Sequence, residues 1–372
     1  MKKRILALFF ATVMLLGVMG CGTAEDAADA TAQEVAEEEA APVVDVDTAD
    51  ILFELASDPS EYRMFIQWPA PDTFFDSYVL EGVRAFERDY GISVSWDVGS
   101  DWTQDVQNQQ VEAMAAMGYN LFSVFGADAS GANALYLELR NSVDAIVIHY
   151  ASRLDEPVQA YTILSSDIWA NSTASTRRLI QLMGEEGTMI LVLENLGDIN
   201  TLVRQEAVEY VVAQYPNVEI VQTVADIATA SEGFDKVSDA LAANPGVTAI
   251  ISNAGTASIG IANALADFYA TNPDADHIFA ATMDQSEEVL NGVRNGQIDF
   301  TVAQNGWLMG YGSLLALALL ADGWEPVEFG QFIDTGYTFI DQSNVDDWEA
   351  AIEQSAFDII ASFEGNFFVR PQ

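Results

Sequence analysis

From Tyr62 onward, apolar residues alternate between short β-rich runs and longer stretches with helical spacing. Arg63 to Trp68 reads as a strand closed by Pro69 and Pro71. Phe74 to Tyr90 sets Val79, Val83 and Phe86 on one side of a helix, and Gly91 ends it. Ile92, Val94 and Trp96 alternate with polar residues as a strand does. A helix over 102–117 stops at Gly118, a buried strand spans 121–125, a helix 133–141, a strand 145–150 and a β-segment 159–164. The rhythm then restarts. Helices are predicted over 167–183, 201–214, 233–243, 259–270 and 286–295, and strands over 188–193, 218–221, 247–251, 277–281 and 300–303. A helix over 307–321, one strand over 330–340 and a helix over 345–363 complete the pattern.

Repeated β-α units imply parallel sheets covered by helices on both faces. Two runs that each start afresh predict an α/β chain of two doubly wound lobes, and the length of the patterned region suits two domains. Open sheets of this kind bind ligands beyond the carboxyl ends of their strands, so residues just after strands are the candidates for function.

The first residues bear on location. Lys2, Lys3 and Arg4 precede an apolar run from Ile5 to Val18, and Val18-Met19-Gly20-Cys21 has the form of a lipobox. Such a leader (1–21) is a secretory signal and is shorter than the ~20 apolar residues a membrane span needs. Cys21 is the only cysteine, which excludes an intrachain disulfide and reads as the lipidated residue. It would tether the protein extracytoplasmically, at the outer face of the cytoplasmic membrane or in the periplasm. Residues 22–61 form an Asp/Glu-rich, Ala-rich stalk without Lys or Arg after Glu25, too polar to offset its ordering entropy. Within it, Ile51 to Ala56 reads as an amphipathic turn that docks on the domain.

Composition then narrows the functions. With 57 Asp and Glu against 14 Lys and Arg, the formal net charge is −43. A surface this acidic repels phosphates and excludes nucleic acid as a partner. Two histidines and one cysteine offer no metal-ligand constellation, and no cofactor motif occurs.

At the strand ends the chain resembles the type I periplasmic binding proteins of the ribose-binding kind. Asp72-Thr73-Phe74-Phe75 is similar to that family's Asn-Pro-Phe-Phe, and Gly82 falls at its helix glycine. Gly184-Glu-Glu-Gly187 resembles its glycine turn, and Arg204-Gln-Glu-Ala-Val208 its Arg-x-x-Gly-Phe helix start. Met283-Asp284-Gln285-Ser286 resembles the strand-end Asp. Val293 to Gln304, running on to Gly310, is the strongest local likeness, and Asp341 to Val345 resembles the turn before the last helix. The resemblance covers Arg63 to about Asn344. It implies two lobes joined by three crossings, placed near Ser166, Gln304 and Phe329, with a ligand enclosed as the hinge closes. Lobe one would be 62–165 plus 305–329, and lobe two 166–304 plus 330–372. The implied function is the substrate-binding component of an ABC importer, monomeric, working with permease subunits and capturing a small sugar or sugar-like solute.

Sugars offer apolar ring faces and many hydroxyls, so their pockets need aromatic walls and bidentate polar groups. Phe74 and Phe75 are the aromatic candidates, one of them expected in the core by hydrophobic-staple logic. Asp72 either accepts from hydroxyls or caps the helix. Arg204 falls where the resemblance puts a ligand-binding guanidinium; the rival is a surface pair with Glu206 or Glu209. Asp284, Gln304 and Asn253 follow strands. His149-Tyr150 stands where the family often has Asp-Arg, which argues against ribose; a histidine there is as readily a core residue as a ligand contact. Trp68, Trp169 and Trp307 divide between stacking surface and core. Two other functions remain open at this point: a sensory lipoprotein with the same pocket, and a glycoside-processing enzyme built on paired carboxylates. No catalytic triad order, nucleophile elbow, phosphate loop or zinc spacing supports an enzyme. A transcriptional role of the related lactose-repressor kind fails on the lipobox and the lack of a DNA-binding headpiece.

Lipidation of Cys21 predicts that Cys21→Ala moves the protein from the membrane fraction to the soluble fraction. Fractionation followed by immunoblotting checks this, and undiminished membrane recovery of the variant would sink it.

Overall fold

The computed structural model describes residues 52–71, 74–196 and 198–370. Cys21, the leader, residues 22–51 of the expected stalk, and Asp72 lie outside the described residues. Residues 52–61, expected as the end of that stalk, instead pack on lobe one, with Phe53 edge-to-face on Trp324 because its ring and Leu55 are apolar enough to bury. The first half alternates β1 (Met64–Trp68), α1 (Leu80–Tyr90), β2 (Val94–Val98), α2 (Gln104–Ala116), β3 (Leu121–Val124), α3 (Ala129–Val143), β4 (Ile146–Tyr150) and β5 (Thr162–Ser165). The second half repeats the scheme with α4 (Ile168–Leu182), β6 (Gly187–Val192), α5 (Ile199–Val212), β7 (Val218–Val224) and α6 (Ala230–Ala243). It continues through β8 (Ala249–Ser252), α7 (Gly255–Thr271), β9 (Phe279–Met283), α8 (Glu287–Arg294) and β10 (Phe300–Gln304). The last stretch holds α9 (Gly306–Ala321), β11 (Glu325–Pro326), β12 (Gln331–Asp334), β13 (Tyr337–Asp341), α10 (Trp348–Ala361) and β14 (Phe368–Val369).

Two six-stranded sheets result, ordered β12-β5-β4-β3-β1-β2 and β13-β10-β9-β8-β6-β7. All pairs are parallel except β10 with β13. Each sheet therefore reverses its strand order once, between β1 and β3 in lobe one and between β6 and β8 in lobe two. This is the two-lobed α/β architecture expected from the pattern. Interior strands such as β1, β3, β8 and β10 are buried at every position, whereas the edge strand β7 alternates with exposed residues.

Side-chain caps decide where several helices begin. Asp128, Asp167, Asp198, Thr229, Ser286 and Asn305 each accept a backbone N–H in the first turn of the helix that follows. The Asp128 cap starts α3 at Ala129, four residues before the start the apolar spacing suggested.

The expected strand over 330–340 is two strands. β12 runs parallel to β5 in sheet one, and β13 runs antiparallel to β10 in sheet two. The third crossing therefore lies at Thr335–Gly336, not near Phe329. Gly336 takes a left-handed φ of 72° there. Ser166 Oγ, on the first crossing, donates to Gly336 O at 2.7 Å, so two crossings are tied together. The C-terminal segment departs from its expected assignment too. Ala356, Ile360, Phe363 and Phe368 bury in the lobe-one core, and β14 pairs antiparallel with β11. Residues 330–334 and the end of the chain thus pack with lobe one, where Ile333 joins the same core cluster as Ala356, Ile360, Phe363 and Phe368.

α9 is apolar on all sides and buried over nearly its whole length, as a helix in the middle of a core must be. Among the described residues no helix is long and apolar enough to cross a membrane. α9 meets α1 backbone to backbone: a Cβ at Gly82 would overlap Trp307 O, and one at Gly310 would overlap Val79 O. Close approach to backbone leaves nothing that can rotate away. Gly310→Ala should therefore cost ~3 kcal/mol or more of stability. Urea unfolding checks this, and a loss no larger than that of a surface Gly→Ala control would contradict the packing.

Candidate functional site

Between the carboxyl ends of the two sheets lies a cavity of about 670 Å³, a size that suits a small organic ligand. Lobe one supplies an aromatic wall of Trp68, Phe74, Tyr78, Trp102 and Phe125. Trp68 ends β1 and Phe125 follows β3, so the two rings flank the point where the strand order of sheet one reverses. Their centroids are 4.6 Å apart in an edge-to-face contact, with Trp102 against Phe125 at 5.2 Å and Phe74 against Tyr78 at 5.6 Å. Phe74 and Tyr78 are held from behind by α9, since a Cβ on Gly306 would strike both side chains.

Lobe two supplies the polar wall. Asp284 follows β9 with a left-handed φ of 63°, a conformation that disfavours side chains other than Gly, Asn and Asp. Its N–H donates to Val302 O at 2.8 Å and its carbonyl accepts from Thr301 Oγ1 at 2.7 Å. Gln304 Nε2, at the end of β10, donates to Asp284 Oδ1 at 3.1 Å. A Cβ on Gly255 would come within 2.6 Å of Asp284 Oδ2, so the glycine makes room for the carboxylate. Glu194, two residues beyond β6, accepts from the N–H groups of Thr256 and Ala257 at the start of α7, where the helix dipole favours a negative charge. Asp198 caps α5, and burial pushes its carboxyl up while the Arg204 charge and the N–H groups of Asn200 and Thr201 oppose that. Arg204, one turn into α5, is only 7% exposed and its Nε has no hydrogen-bond partner.

The lobes touch on both flanks of the cavity. Tyr78 OH donates to Gln285 O at 2.9 Å, and Asn200 Nδ2 donates to Ala151 O at 3.2 Å. Burial and the charges of Asp284, Glu349, Glu287 and Glu288 raise the Tyr78 phenol well above its usual range, which keeps it a neutral donor.

A sequence profile described as periplasmic binding protein domain matches residues 64–325. The chain belongs to this family. Periplasmic binding proteins are solute-binding rather than catalytic. A D-apiose import binding protein of Actinobacillus succinogenes is 26% identical over 149 residues, 40% of this chain. The match spans 46% of that relative, about half its length. A putative rhizopine-binding protein of Rhizobium meliloti is 25% identical over 231 residues, 60% of this chain and 72% of that one. Among solved structures, a Burkholderia graminis ABC transporter solute-binding protein in complex with D-arabinose superimposes with a TM-score of 0.71 at 18% identity, covering 78% of this chain and 99% of that one. A Bacillus halodurans solute-binding protein with bound myo-inositol gives 0.68 at 18% identity, covering 79% and 99%. These two likenesses establish the fold.

Of the residues singled out in this periplasmic binding protein's sequence, Trp68, Phe74, Arg204, Asp284 and Gln304 converge on the cavity. Phe75 does not: it is fully buried against Trp68 and Trp96. His149 and Tyr150 turn into the lobe-one core as well. His149 Nδ1 meets Tyr136 OH and Nε2 meets Ser152 Oγ, both at 2.9 Å, while Tyr150 OH donates to Gln67 O at 3.0 Å. Asn253 is 1% exposed and both polar atoms of its side chain lack a partner, but it does not line the cavity. Trp169 packs on Tyr210 at the surface and Trp307 stacks on Tyr311. Tyr78, Trp102, Phe125, Glu194 and Asp198 were not singled out. The strand-end rule reaches Phe125 at the last position of 121–125 and Glu194 just after 188–193, and a one-turn step from Phe74 reaches Tyr78.

Burial lowers the His149 pKa to about 3. Its folded value lies below the unfolded value of about 6.5, so the unfolded chain takes up the proton first and stability falls as pH drops below 6.5. Between pH 7 and pH 5 this contributes a loss of about 2 kcal/mol. Urea titrations should show that loss in the wild type and a correspondingly smaller one in His149→Gln. Equal pH dependence in the two proteins would contradict a buried neutral imidazole.

Proposed function

We propose that this chain is the extracytoplasmic capture component of an ABC importer, anchored through Cys21, which takes a small sugar or sugar-like solute into the cleft between its lobes and presents it to permease subunits. The observation that carries the reading is the pairing of walls. An aromatic surface for a ring face stands opposite polar groups for hydroxyls, and two donors there, Trp68 Nε1 and Arg204 Nε, are buried without partners. Buried donors are normally satisfied, and a hydroxylated ligand between the lobes would supply the acceptors. Relatives described as binding or importing D-apiose, D-arabinose and myo-inositol support a polyhydroxylated solute of that size.

In this reading Arg204, Asp284 and Gln304 hold hydroxyls and Phe74 with Trp68 covers the ring. A thermal-shift screen of monosaccharides, polyols and nucleosides should find a stabilising solute, because binding to the folded state raises apparent stability. Its affinity is expected at about micromolar or tighter. Arg204→Ala and Asp284→Asn should each weaken that binding by roughly 5- to 100-fold. Asparagine tolerates the left-handed backbone at 284, and the melting temperature of each ligand-free variant separates lost binding from lost stability. Calorimetry on both variants checks this, and unchanged affinity in both would move the site elsewhere.

A further inference from the structure

We infer that the solute held in this cleft carries a protonated amine, as an aminated sugar or aminated cyclic polyol does, so that neutral and acidic members of the same series bind less well. The inference rests on the cleft being the solute site proposed above.

Charge on the cavity wall is strongly one-sided. Glu194, Asp198, Asp284, Glu287 and Glu288 line it, and among the described lining residues Arg204 is the only base. That base is already answered in part, because its charge acts on Asp198, the N-cap of α5 six residues earlier. The remaining carboxylates all belong to lobe two, beside the starts of α7 and α8. Glu194 and Asp284 flank the start of α7, on the N–H groups of Thr256 and Ala257 and against Gly255 respectively. Glu287 and Glu288 follow in the first turn of α8, Glu287 with its carboxylate shared with Arg294 of the same helix at 3.6 Å. A cleft with low-dielectric walls and one sign of charge focuses its field and concentrates counter-ions of opposite sign.

The facing wall suits the same occupant. Aromatic faces carry the negative part of their quadrupole toward a ligand and attract an ammonium, with tryptophan the strongest; Trp68, Tyr78 and Trp102 all reach this cavity. An alkylammonium offers three donors and no acceptor, which matches a wall rich in carboxylate acceptors. A metal ion fits less well, since among the described residues no group of three or more carboxylates or imidazoles is gathered closely enough to hold one. Arg204, with its unpartnered Nε, is left to donate to hydroxyl oxygens of the same ligand.

Calorimetry on the full chain with matched series tests this: glucose, glucosamine and glucuronate; galactose and galactosamine; myo-inositol and its monoamine. The expected result is that in at least one series the amine binds about tenfold or more tighter than its neutral parent. Glucuronate should not bind, and the preference should shrink as salt rises. The double substitution Glu287→Gln with Glu288→Gln, at exposed positions that do not endanger folding, should narrow the preference, and Asp284→Asn should abolish it. Neutral parents binding as tightly as their amines, or a preference unmoved by both sets of substitutions, would overturn the amine while the solute-binding function stands. Failure of every neutral and aminated compound to bind would overturn both.

Discussion

The contact on which the cleft depends is the glycine crossing of α1 and α9. α9 leaves sheet two at Gln304 and runs straight into the middle of lobe one, where Gly82 and Gly310 let it touch α1 with no side chain between them. That contact sets the depth of α1, and hence the position of the π-helical turn Phe75–Val79 that opens it. Phe74 and Tyr78 reach the cavity from this turn, and the third small residue, Gly306, receives their side chains from below. The aromatic wall is therefore a property of helix spacing. Dispersion between close-packed backbones is weak per atom but leaves no slack, and a displacement of one helix carries the rings with it.

The opposite wall is organised by electrostatics. Glu194 and Asp198 each sit where backbone N–H groups are otherwise unsatisfied, at the starts of α7 and α5. Helix N-termini supply both the hydrogen bonds and the partial positive charge that make a partly buried carboxylate tolerable. Asp284 solves the same problem differently, through a left-handed backbone pinned by Val302 and Thr301 and an amide from Gln304. Negative charge is thereby held in place before any solute arrives, which lowers the reorganisation that binding requires.

Much of this was legible in the chain. Alternating periodicity marks the β-α units because buried strands and amphipathic helices impose different spacings, and the strand-end rule reaches Asp284 and Gln304 directly. It fails at His149-Tyr150 for a reason outside the local pattern: Tyr136 on α3 and Ser152 close over the imidazole, and Gln67 takes the phenol. Phe74 and Phe75 could not be separated without the π-helical turn, which sends one ring to the cavity and its neighbour to Trp96. The run 330–340 shows one apolar pattern throughout, and nothing in it records that β12 and β13 join different sheets. Asp128 shows the opposite case, a cap whose chemistry was available but whose helix start was masked by small residues with no apolar spacing.

The chain's two described ends meet on the same body. Tyr62 OH and Ser57 Oγ both donate to Asp322 Oδ1, at 2.8 Å, just beyond α9, while β14 pairs with β11 a few residues further on. Lobe two consequently carries neither described end and is held by the crossings and by the Tyr78–Gln285 and Asn200–Ala151 contacts. In mechanical terms lobe one carries both described ends and lobe two hangs from it. A pull applied at those two ends loads lobe one alone and does not act across the cleft, so the spacing of the two walls is insulated from strain on the ends of the fold.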